Sequence, residues 1–275
     1  MMTKLPIAVQ VYSVRDDAAR DFAGTMKQIK EMGYDGVELA GMYGKTAGEI
    51  REILDATGLK AVSAHVGLLN GELSDAEKLM DDSKAIGCDY VAVPYLPEEL
   101  RPLTPGFATV MEKLPKLGEM ASQKGLTLLY HNHDFEFVKM ENGEYGLDYM
   151  YSHVSPKLLQ TELDTCWINV GGEDPAAYVR KYAGRCPLVH LKDFYMKGKK
   201  PSNMYELIGI DSSAEEKPDR STFDFRPVGH GLQDIPSIVQ AAEESGAKWL
   251  VVEQDRSSER PPMEAVRMSI EYLKK

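Results

Sequence analysis

The sequence predicts an α/β fold of the (β/α)₈ barrel type, formed by residues 1–275 as one domain. Eight short apolar, β-rich runs occur along the chain, most of them separated by helical patterns. Several of those helical patterns end in a glycine that leads straight into the next run. The length of 275 residues is close to the ~250 that such a barrel requires.

The predicted strands are Ile7–Tyr12, Gly36–Leu39, Lys60–His65, Tyr90–Val93, Leu126–His131, Leu158–Leu163, Pro187–Leu191 and Trp249–Glu253. Between them, Phe22, Met26 and Ile29 recur at helical spacing, as do Ile235, Ile238, Val239 and Ala242, then Met263, Val266, Ile270 and Leu273. Gly33, Gly58, Gly87, Gly125 and Gly246 mark helix ends, because glycine adopts the left-handed conformation that closes a helix C-terminus. Strands alternating with helices imply parallel strands joined by right-handed crossovers. An open doubly wound sheet is disfavoured by the strand count and by the first strand's end, where Gln10, Val11, Tyr12 and Ser13 replace a glycine-rich turn.

The longest irregular stretch runs from Phe194 to Arg226. Loops of this length in compact domains are usually functional, so Asp211–Arg220 is expected to form a mobile lid tip. The tighter Pro227–Gly231 segment is expected to return His230 to the barrel mouth.

The net charge of −11 and pI near 5.1 argue against nucleic acid as a partner. Lys197, Lys199 and Lys200 lack interleaved aromatics and are expected to be a solvated loop. No apolar run has the ~20 residues of a spanning helix, and Met1–Val9 has no signal-peptide pattern. Cys88, Cys166 and Cys186 are odd in number and form no C-x-x-C pair, so buried thiols in a reducing cytoplasm are expected. A homo-oligomer is compatible with the sequence.

In such barrels the active site lies at the C-terminal ends of the strands. The polar residues there are Glu38, His65, His131, His133, Asp164, His190, Lys192 and Glu253, which include four of the six histidines. Imidazole with carboxylate suits Mn²⁺, Zn²⁺, Co²⁺ or Fe²⁺ better than Mg²⁺ or Ca²⁺. One divalent metal is therefore expected on Asp164, His190 and Glu253, from the sixth, seventh and eighth strands, with His131 from the fifth.

Five segments carry a resemblance. These are Gln10–Arg15, Tyr130–Phe137, Glu162–Asp164, Val189–Asp193 and Val251–Asp255. Together they resemble the sugar phosphate isomerase/epimerase family, within the xylose isomerase-like TIM barrel superfamily, from about Ile7 to the C-terminus. The family's metal site of Glu, Asp, His and Glu implies Asp164, His190 and Glu253 as ligands here. His131 stands where the epimerases have a glutamate. His133 and Glu136 are the alternatives for that position.

The resemblance implies a metal-dependent isomerase or epimerase acting on a sugar or keto-sugar through an enediolate. The alternative is a dehydratase or lyase acting on a keto-inositol or 3-keto-glycoside through a metal-stabilised enolate. Glu253, His131 and His133 are the candidate acid and base groups, and an imidazole with a pKa near 6.5 can serve as a base. Trp167 replaces a substrate-contacting histidine of some epimerases and is expected either to stack on a sugar ring or to pack in the core. Glu38, His65 and His230 are further candidates for substrate contact. Lys192 is expected to turn away from the side His190 faces, and to reach the substrate only by swinging back, or else to pair with Asp193 or Glu253. A DNA-repair endonuclease on the same barrel would need a basic face, and a barrel that only binds sugar would not need the three ligands.

Overall fold

The computed structural model describes residues 2–198, 205 and 222–275. In chain order the strands are β1 (Ile7–Gln10), β2 (Gly36–Ala40), β3 (Lys60–His65), β4 (Tyr90–Val93), β5 (Thr127–His131), β6 (Gln160–Asp164), β7 (Leu188–Leu191), β8 (Asp193–Met196), β9 (Phe223–Arg226) and β10 (Trp249–Val252). All but β8 and β9 close into a barrel in the order β1-β10-β7-β6-β5-β4-β3-β2, and every pair is parallel. The predicted fold class is therefore observed. The sixth strand begins later than its sequence run suggests, because Leu158 and Leu159 close a turn onto the Ser155 carbonyl.

The helices are α1 (Arg15–Arg20), α2 (Phe22–Met32), α3 (Ala47–Thr57), α4 (Leu73–Ile86), α5 (Phe107–Gln123), α6 (Gly146–His153), α7 (Thr165–Val170), α8 (Pro175–Lys181), α9 (Ile235–Glu244) and α10 (Pro262–Leu273). The predicted apolar faces are buried: Phe22, Met26 and Ile29 on α2, and Ile235, Ile238, Val239 and Ala242 on α9. On α10, Val266, Ile270 and Leu273 are buried while Met263 is only half-buried. Gly33, Gly58 and Gly87 cap α2, α3 and α4 with φ of 102°, 71° and 103°, angles that a Cβ would strain. Cys88, Cys166 and Cys186 are free and buried, as expected.

The barrel interior is layered, as the two-residue period of strands requires. Ala8, Val62, Ala92, Leu129, Leu188 and Val251 form an apolar layer at its base. Continuing along the same strands by twos brings in Gln10, His131, His190 and Glu253. This parity places the site.

The stretch from Phe194 to Arg226 is not irregular at its ends. Its two flanks pair as an antiparallel hairpin, β8 with β9, with Phe194 opposite Phe225 and Met196 opposite Phe223. The driving force is apolar: Phe194, Phe223 and Phe225 bury together with Cys166 and Trp167. The expected lid tip, Asp211–Arg220, lies outside the described residues, as do Lys199 and Lys200, while Lys197 is exposed.

Candidate active site

A cavity of about 330 Å³ is lined by residues at the C-terminal ends of the strands. This is at the small end of the ~300–1,000 Å³ range of ligand sites, sized for one small molecule. His131 and Glu253 line it together with His65, His133, Lys192 and Asp255, and Tyr12 and Tyr95 also contribute.

His131, Asp164, His190 and Glu253 converge, with one donor atom from each lying within 4.8 Å of all the others. Register explains the meeting: Asp164 is level with His190 on the neighbouring strand, and His190 is level with Val251, two residues before Glu253. Asp164 is held from behind. Its Oδ1 accepts the Cys166 and Trp167 N–H groups (2.8 and 3.1 Å) at the start of α7, and its own N–H donates to Asn132 Oδ1 at 2.9 Å. Thr165 Oγ1 donates to the His190 carbonyl at 2.8 Å, tying β6 to β7. Asp164 Oδ2 is left buried without a well-aligned hydrogen bond.

These residues fit a divalent cation. Five buried carboxylates, Glu38, Glu162, Asp164, Glu253 and Asp255, crowd the upper barrel, and Asp164 Oδ2, which lacks an aligned hydrogen bond and lies 2.9 Å from Lys192 Nζ, faces the donor set. The mixed nitrogen and oxygen donors match borderline metals.

Lys192 corrects the sequence expectation. It stands two residues beyond His190, so the strand period turns it to the same side rather than away. Its Nζ is 2.9 Å from Asp164 Oδ2, 3.0 Å from Glu253 Oε2 and 2.9 Å from Asp255 Oδ2, and the side chain is 1% exposed. The pairing with Glu253 is observed, whereas Asp193 instead accepts backbone N–H groups from Phe194, Gly229, Gly231 and Gln233. Burial opposes the ammonium charge, but Asp164, Asp255 and Glu253 outweigh it and raise Lys192 well above its ordinary value.

The remaining shifts follow from the same crowding. Burial would raise Glu253, but Lys192 and His190 hold it well below the usual carboxylate range. Burial pushes Asp255 up to about 7 despite the adjacent Lys192. Burial works against a charged His65, yet Glu38 and Glu162 together push it up to about 9. His190 is opposed by burial in the same way and is raised well above its ordinary value by the same two carboxylates. Burial lowers His131, and it lowers His133 further with help from His131 and Lys192. His133 is stacked between Phe135 (5.4 Å) and Trp167 (5.2 Å), with its Nδ1 unpartnered.

Other expected contacts fall elsewhere. Glu38 is wholly buried below the cavity, accepting from Gln10 Nε2 at 2.9 Å and lying 2.7 Å from His190 Nε2. It lies against His190 and is not among the residues lining the cavity. Trp167 is wholly buried in the hairpin's apolar cluster and does not line the cavity, so packing accounts for it. His230 is exposed, lies against Tyr272 of α10, and does not reach the cavity. Glu136 stands apart from the converging donors: it turns into a short 3₁₀ segment, where it accepts from Tyr130 Oη (2.5 Å) and the His133 N–H (2.8 Å).

Three residues of the candidate site were not singled out from sequence. Glu162 lies at the centre of the histidines, and its signal was parity, two residues before Asp164. Asp255 follows Glu253 by the same step. Tyr95 comes from the loop after β4 and had no sequence signal.

Comparison with known families adds the context. The model of the xylose isomerase-like TIM barrel matches residues 26–275. The chain belongs to this family. An inosose dehydratase of Clostridium beijerinckii is 24% identical over 276 residues, covering 92% of this chain and 89% of the relative. A sugar phosphate isomerase/epimerase from Parabacteroides distasonis superposes with a TM-score of 0.76 at 20% identity, covering 98% of this chain and 93% of that one. The IOLI protein, solved with a bound zinc atom, superposes with a TM-score of 0.71 at 15% identity, covering 98% of this chain and 96% of that one. The relatives are enzymes, and this family member is an enzyme too. Among the described residues no helix is long and apolar enough to cross a membrane.

Proposed function

We propose that this enzyme is a metal-dependent lyase that removes water from a small cyclic polyhydroxy ketone of the keto-inositol class. The observation that carries the reading is the junction of two features at one cavity. Four mixed donors, His131, Asp164, His190 and Glu253, meet at its edge, and the buried His133 with its free Nδ1 lines it beside Lys192 and Asp255. A divalent metal on the four donors supplies Lewis acidity toward a substrate carbonyl, which lowers the cost of removing the adjacent proton.

The chain's own groups do the rest. His133 takes the proton alpha to the carbonyl onto its free nitrogen. The electron pair of that C–H bond forms the new C=C bond as the C–O bond beta to the carbonyl breaks. Asp255, with Lys192 beside it, holds the proton that the departing hydroxyl takes up to leave as water. Burial of all three groups keeps bulk water from competing for these protons.

Elimination is favoured over isomerisation by the strand-five position. Paired glutamates suit proton return to carbon from either face of a sugar, and here His131 replaces one of them. The inosose dehydratase relative supports the same choice. The retained Glu253 favours isomerisation or epimerisation as the second reading, since it also lines the cavity.

Incubation of the metal-loaded enzyme with a keto-inositol and with a 3-keto-glucoside in D₂O separates the two. The lyase reading expects a dehydrated product from the keto-inositol. Deuterium in a recovered isomeric sugar with no dehydrated product would overturn it in favour of the second reading.

A further inference from the structure

Below the four-donor set lies a second group of polar side chains in contact with it: Glu162, Glu38 and His65, with Gln10 at the edge. Glu162 is fully buried, and its Oε1 is hydrogen-bonded to two imidazoles with a third nearby. It lies 2.5 Å from His65 Nε2, 3.1 Å from His131 Nδ1 and 3.2 Å from His190 Nε2. Glu38 Oε2 adds a second contact to His190 Nε2 at 2.7 Å.

The opposite nitrogens of two of these rings face the donor set. His131 Nε2 is 3.6 Å from Asp164 Oδ2 and 4.0 Å from Glu253 Oε2. His190 Nδ1 is 2.9 Å from Glu253 Oε2. Each ring is thus a strut between the two groups, and the two rings are mounted in opposite senses.

We propose that Glu162 is a positioning residue that sets the tautomer of His131, so that a metal would meet its Nε2. The physical reason is that a neutral imidazole has one N–H and one lone pair, while a carboxylate can only accept. Glu162 therefore selects the N–H form at His131 Nδ1, whereas His190 Nε2 has no aligned hydrogen bond and His190 Nδ1 pairs with Glu253. The lone pair of His131 Nε2 is then presented toward Asp164 and Glu253. A hydrogen bond on one ring nitrogen fixing the ligating behaviour of the other is a general feature of histidine metal sites. This inference rests on the metal site of the proposed function, but the tautomer of His131 is a property of the protein before any metal is added.

The test uses long-range ¹H–¹⁵N correlation of the histidine rings in the metal-free full-length protein at neutral pH. Wild-type His131 is expected as the Nδ1–H tautomer, the less common form of free histidine. In Glu162→Gln, whose amide can also donate, the Nε2–H form of His131 is expected to appear. Affinity for Zn²⁺, read by competition with a chromophoric chelator, is expected to drop about 10–100-fold. Glu162→Asp keeps an acceptor and is expected to retain the wild-type tautomer and recover part of the affinity. A residue that only filled space would change thermal stability in both variants and leave the tautomer alone. Wild-type His131 protonated at Nε2 would overturn the inference even if Glu162→Gln failed to fold. A wild-type protein with the expected tautomer but no metal affinity would instead overturn the functional reading and leave the positioning role standing.

Discussion

The base and the top of this barrel are built on the same strands with opposite chemistry. At the base, Ala8, Leu129, Leu188 and Val251 pack into an apolar layer. Two residues further along each of those strands stand Gln10, His131, His190 and Glu253, all buried and all polar. The base removes apolar surface from water and stabilises the fold. The top confines charges that burial disfavours, and they persist because they pair with one another. Base substitutions should therefore register in stability alone, and top substitutions in chemistry, with stability affected as well where the one shared cation is removed.

The sharpest break of this division is Glu253→Gln. Turnover is expected to fall by about 100-fold or more because one of the four metal donors is lost, while the melting temperature of the metal-free protein moves by only a few degrees. Steady-state kinetics beside a thermal melt checks it, and a fold that collapses with the variant would refute the division. Lys192→Met tests the top layer's internal pairing. It leaves the carboxylates of Asp164, Glu253 and Asp255 without their shared cation. The metal-free protein is expected to lose about 3–5 kcal/mol, and added metal should raise its melting temperature more than it raises the parent's.

At the base, Leu129→Ala is expected to cost about 2–5 kcal/mol in urea unfolding, with the metal content of the folded protein unchanged. Glu136 sharpens the boundary, because it is a buried acid beside the site that is not part of the donor set. Burial raises its pKa from 4.5 to about 7, so the folded state holds a proton that the unfolded chain releases between those values. Stability linked to Glu136 is therefore in place below pH 4.5 and is lost as pH rises toward 7, by on the order of 3 kcal/mol. In Glu136→Gln that part of the pH dependence should vanish, which unfolding curves at pH 5 and pH 7.5 for variant and parent would reveal.

The fold was legible because its signals are local. A strand shows its apolar run, a helix its spacing, and Gly33, Gly58 and Gly87 show where helices stop. Asp164, His190 and Glu253 were legible because strand ends in such a barrel share one mouth. Lys192, Glu162 and Asp255 obey the same rule by parity, each two residues from a ligand, and counting by twos from Asp164, His190 and Glu253 recovers all three. The β8–β9 hairpin was hidden for a different reason: Phe194 and Phe225 pair across a long separation that no local pattern announces. The same hairpin claims Trp167 for the core, and Tyr272 gives His230 a neighbour outside the cavity.

Bound-metal analysis after loading and desalting checks for a single divalent metal on the four converging side chains. The parent protein is expected to retain about one Mn²⁺, Zn²⁺, Co²⁺ or Fe²⁺ per chain, the stoichiometry of a four-donor site, while Glu253→Gln and His131→Ala retain much less. A parent that holds no metal, or variants that hold as much as the parent, would contradict the account.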